Sequence, residues 1–81
     1  HGEARVAAPF LERALRLLED VASKDPSSLV TRALVANTHT GLGYVEAALG
    51  AEASRGGNAR IAHYRAAKNH FAQGVAFWTE V

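Results

Sequence analysis

In the first segment apolar side chains return every three or four positions: Val6, Phe10, Leu11, Ala14, Leu15, Leu17, Leu18, Val21 and Ala22. That spacing matches the 3.6-residue helical turn and collects them on one face. Glu3, Arg5, Glu12, Arg13, Arg16, Glu19 and Asp20 fill the opposite side. A first helix is predicted over about residues 3–24. Pro9 removes one backbone hydrogen bond, so it belongs in the first turn or marks a kink, and residues 9–23 form the firm part.

Asp25-Pro26 is the clearest punctuation, with Asp suited to cap a helix and Pro to open it. A second helix is predicted over about 26–54, carrying Leu29, Val30, Ala33, Leu34, Asn37, Gly41, Tyr44, Val45, Ala48 and Leu49 along one stripe. Gly41 and Gly43 each cost about 1 kcal/mol relative to Ala inside a helix. No Pro, Asp or Ser accompanies them to make a turn, so the helix is expected to run through. Ser54-Arg55-Gly56-Gly57-Asn58 is the next breaker, with glycine for a helix end and Asn58 for the following N-cap. A third helix, about 58–80, places Ile61, Tyr64, Ala67, Phe71, Val75 and Trp78 at steps of three and four. Three amphipathic helices joined by short turns predict one all-α domain over 1–81, an antiparallel three-helix arrangement with a long central helix.

Composition narrows the function. Aromatics are 7% of the chain and only 2 residues are Pro, which suits closely packed helices. A chain of 81 residues buries only about 60 to 65 percent of its unfolded surface, so its stability margin is thin. The net charge of +1 gives no global pull toward nucleic acid or an anionic membrane. Lack of cysteine removes disulfides, thiolate catalysis and cysteine-ligated zinc, and it suits a reducing cytoplasm. No apolar run approaches the roughly 20 residues that span a bilayer, and no signal-peptide order opens the chain. It begins at His1 and stops at Val81 within a helical pattern, as expected of a piece of a longer protein.

Two stretches resemble tetratricopeptide repeats, whose unit is a helical pair of about 34 residues. Ala14, Leu18, Val21 and Pro26 follow the small, bulky, small and proline spacing of such a unit's second helix, with Val21 larger than the usual alanine. Leu42-Gly43 and Gly50 match the opening of a next unit, with Glu46 where tyrosine is common. Ala67, Phe71, Gly74 and Val75 match its second helix, after about a dozen additional residues, and Thr79 stands in place of the closing proline. The whole is also similar to repeat regions that follow bacterial serine/threonine kinase domains. The resemblance implies one to one-and-a-half helical hairpins and a scaffold or protein-interaction role, with no catalytic residue carried over.

Candidate chemistry is sparse. His39, His63 and His70 are the internal histidines available to a metal or to acid–base work; His63 and His70 share one side of the third helix, but zinc favours four-residue helical spacing and further ligands. Serines 23, 27, 28 and 54 fall at caps and turns, away from any nucleophile–base pair. Gly56-Gly57 precedes a helix without the strand or the Gly-Lys-Ser/Thr of a phosphate loop. Neither an enzyme nor a metal or other cofactor is indicated.

The expectation is therefore a surface. Tyr64, Phe71, Phe77 and Trp78 are the candidate apolar contacts and Arg60, Arg65 and Lys68 their polar rim. Phe77 adjoins Trp78 and cannot share its face, so one of the two points away from the local core. The expected partner is a protein: adjoining repeats of the parent chain, a second copy or another protein. The alternative is nucleic acid or another polyanion on the basic side of the third helix, where Arg55, Arg60, Arg65 and Lys68 interleave with Tyr64.

Overall fold

A computed structural model describes residues 2–53 and 57–80. The chain folds as three helices, α1 (Glu3–Lys24), α2 (Leu29–Glu52) and α3 (Asn58–Glu80), an all-α antiparallel arrangement. α1 continues through Pro9, which leaves the Arg5 carbonyl without its usual helical donor. Asp25 does not start α2 but ends α1: its N–H donates to the Val21 carbonyl at 3.1 Å. The start falls to Ser28, whose Oγ accepts from Thr31 N–H at 3.2 Å. A serine three residues before that amide satisfies a donor the helix leaves orphaned, which Asp25 stands too early to reach. α2 is unbroken through Gly41 and Gly43. Asn58 is the first residue of α3 instead of its cap, and Ile61 N–H reaches back to the Gly57 carbonyl. Ser54, Arg55 and Gly56 of the expected breaker lie outside the described residues.

α2 lies between α1 and α3, which make no close backbone approach to each other. The result is a layer of three rods with extents of 43 × 24 × 17 Å. Its radius of gyration, 13.6 Å, exceeds the about 11.7 Å of a compact domain of this length. A layer has two broad faces and little interior. Ala36, Leu42, Val45 and Ala67 are the buried apolar side chains among the described residues, and α1 buries no residue fully.

The α2–α3 seam is built from small and polar residues. Ala36, His39, Gly43, Glu46 and Gly50 of α2 step by three and four against His63, Ala67, His70, Gly74 and Phe77 of α3, a coiled-coil-like period. Each glycine makes room for a specific neighbour: the Phe71 ring lies against Gly43, the Tyr64 ring against Gly50, and the Ala36 carbonyl and Thr40 hydroxyl against Gly74.

This seam corrects the expected stripe on α2. Leu29, Val30, Leu34, Asn37, Tyr44 and Ala48 were predicted to face inward and are exposed, whereas Ala36, His39, Gly43 and Gly50 are buried. Close approach of two helices favours the side with the least side-chain bulk, and that side of α2 is not its most apolar one. On α1 the predicted stripe splits likewise. Leu11, Ala14, Leu15, Leu18 and Ala22 pack half-buried toward α2, while Val6, Phe10, Leu17 and Val21 have no helix to meet.

Candidate protein-docking surface

Projected at about 100° per residue, most of the uncovered large apolar residues fall on one broad face of the layer, while Leu29 and Ile61 point to its sides. Leu11 touches Gly41, which fixes how α1 turns toward α2; Val6, Phe10, Leu17 and Val21 then lie about a quarter turn round from the contact. Tyr44 stands on the same face of α2 and meets Phe71 edge-on, ring centroids 5.1 Å apart, which fixes α3. Tyr64, Phe71 and Trp78, at seven-residue steps, and Val75 follow on that side. Phe10 is 67% exposed, Tyr44 68% and Trp78 55%. Large apolar side chains from all three helices thus share a face that no part of the layer covers.

Of the residues singled out from the sequence, Tyr64, Phe71 and Trp78 belong to this face. Phe71 is half-buried between Gly43 and Tyr44; Trp78 stands free enough to offer most of its ring. Arg60 lies along Tyr64, its guanidinium 5.7 Å from the ring centre and its Nη2 donating to the phenol oxygen at 3.4 Å. Phe77 does not join them. It turns to the other face, half-buried beneath Arg32 at 5.5 Å, its ring perpendicular to that of Trp78 with centroids 4.8 Å apart. Arg65 and Lys68 are exposed, but with Arg60 they spread over about 140° of the helix circumference, so they do not form one rim. Arg55 lies outside the described residues.

No known family, curated protein or solved structure matches this chain. The surface therefore has to be understood from its own residues. Val6, Phe10, Leu17, Val30, Leu34 and Val75 belong to it and were assigned to the core by periodicity alone. A signal did exist: α2 is apolar over much more than one stripe, as a helix flanked on two sides must be, and the excess marks a second face.

The opposite face carries the histidines beside a mixed lining of small apolar and polar side chains. An open groove of about 340 Å³ runs over α2 between α1 and α3, lined by Glu19, Arg32, Val35, His39, Gln73 and Phe77 among others. His39 Nδ1 and His70 Nδ1 lie 2.9 Å apart, so one ring nitrogen donates and the other must accept. One α-helical heptad along the seam, His63 Nδ1 donates to Glu46 Oε2 at 2.6 Å. Burial lowers the His39 pKa from the ordinary 6.5, the adjacent His70 lowers it further and Glu19 opposes both. Among the described residues no group of three or more His, Asp or Glu is placed to hold a metal ion. The histidines are partners of one another or of Glu46, as interhelical struts. No helix among the described residues is long and apolar enough to cross a membrane.

Proposed function

We propose that this chain is a non-catalytic helical module whose task is to dock protein through the apolar face formed by Phe10, Tyr44, Tyr64, Phe71 and Trp78. One observation carries the proposal: the face holds large apolar side chains from three different helices, uncovered together. Single exposed apolar residues are ordinary on folded proteins, but a contiguous set of this breadth marks an interaction site. Aromatic rings supply most of the binding free energy at such sites, and three of those five are Tyr or Trp. The tetratricopeptide-like reading is part of the same proposal. Its support is that the small residues of the resemblance, Gly43, Gly50, Ala67 and Gly74, lie where α2 and α3 approach. Cytoplasmic residence belongs to it as well, supported by the lack of cysteine.

Polyanion binding has weaker support, because Arg60 is engaged with Tyr64 and the three cations diverge around α3. The test is a chain with Phe10→Ser, Tyr44→Ser and Trp78→Ser together. Helicity by circular dichroism stays, because none of the three is buried, while capture of a hydrophobic probe dye and of protein partners falls. Retention of both in a folded triple variant would remove the apolar face from the reading.

A further inference from the structure

The accessible surface of the chain is 5574 Å² for a mass of 8.6 kDa. A folded monomer of that mass exposes about 4700 Å², so the layer shows an excess of about 900 Å². One partner in a standard stable interface covers about 800 Å². The excess is thus close to one side of one interface, and the apolar face is where the uncovered large side chains lie. We infer that the partner seated on this face is a second copy of the same chain, the two layers stacked face to face about a two-fold axis into a six-helix, two-layer dimer. This rests on the docking reading above and adds the identity of the occupant.

Three features favour a second copy. In a two-fold contact the same patch meets itself, so the patch must tolerate its own charges. Projection places charges of both signs on or beside this face, Glu3 and Glu52 against Lys24, Arg60 and Lys68, and the net charge is only +1, so two copies scarcely repel. An apolar centre is self-complementary without any matching of donors to acceptors, and Tyr44, on the middle helix, stands at that centre. Finally, stacking two layers supplies the interior that one layer lacks: α1 alone has no fully buried residue, and Phe10, Leu17 and Val21 gain cover only from a second layer.

The experiment is sedimentation velocity of the chain from about 1 μM to about 1 mM, together with iodide quenching of Trp78, the one tryptophan of the sequence. Self-docking predicts a mass rising from 8.6 kDa to twice that value, with quenching of Trp78 falling over the same range. Tyr44→Lys and Tyr44→Glu chains, each keeping its helicity, sediment as monomers alone and recover the doubled mass when mixed. A chain that stays monomeric throughout, with Trp78 freely quenched, overturns self-docking and leaves an apolar face free for another protein. A monomer whose Trp78 resists iodide overturns both readings, because the face is then not exposed. A dimer indifferent to Tyr44→Glu places the contact elsewhere and overturns the inference as well.

Discussion

Gly41→Ala and Gly74→Ala are the same chemical change in two helix interiors, and the structure gives them opposite signs. In both, replacing glycine by alanine gains about 1 kcal/mol of helix propensity. At Gly41 the new methyl would sit 3.6 Å from Leu11 Cδ1, an ordinary contact distance, so the gain is kept. At Gly74 it would sit 3.1 Å from the Ala36 carbonyl oxygen and still closer to Thr40 Oγ1. Thr40 is not free to turn away without loss, since its hydroxyl donates to that same carbonyl at 3.1 Å. The carbonyl belongs to the α2 backbone and moves only if the helices part. Overpacking of this kind costs about 1 to 3 kcal/mol, which outweighs the propensity gain and leaves a net loss of about 1 kcal/mol. The two variants should then differ by about 2 kcal/mol, a Tm gap on the order of 10 °C for a chain of this size. Thermal unfolding followed by circular dichroism at fixed protein concentration reads it directly. A Gly74→Ala chain as stable as Gly41→Ala would refute the close α2–α3 approach on which the fold rests.

Other consequences follow from single contacts. Leu42 is 2% exposed and the bulkiest fully buried side chain, so Leu42→Ala should cost about 3 kcal/mol in denaturant unfolding; a loss well under 1 would mean it is not core. Ser28→Ala removes the α2 cap and should lower Tm by about 4 to 8 °C, the equivalent of about 1 kcal/mol, with Ser28→Asp retaining the wild-type value. Because the folded-state pKa of His39 lies below 6.5, the unfolded chain takes up its proton first as pH falls. Stability is therefore full above about pH 6.5 and declines below it. His70→Gln, which removes the neighbouring imidazole but not the burial that is the larger cause, should lessen that decline without abolishing it in a series of melts across pH 5 to 8 (about the titration range of histidine), and an unchanged slope would show that His70 adds nothing to it.

The three helices were legible because period, caps and breakers agree on their number and rough extent. Which way each helix turns was not. Hydropathy ranks Leu29, Val30 and Leu34 above Ala36, His39, Gly43 and Gly50, yet the second set is buried, because steric access decided the α2–α3 seam. The candidate surface was legible in part for a related reason. Tyr64, Phe71 and Trp78 share the helical repeat that marks a face, whereas the contributions of Phe10 and Tyr44 depend on α1 and α3 both siding with α2 and leaving it open. Phe77 was separable from Trp78 by adjacency alone, but adjacency does not say which of the two turns to the groove.

Hydroxyl-radical footprinting of the chain across a concentration series tests the exposed face most directly. At low concentration Phe10, Tyr44 and Trp78 should oxidise readily and Leu42 hardly at all, and at high concentration the three aromatics should become protected while Gln73 and Val35 in the groove do not change. Phe10 and Tyr44 resistant at every concentration, or protection appearing in the groove instead, would contradict the account.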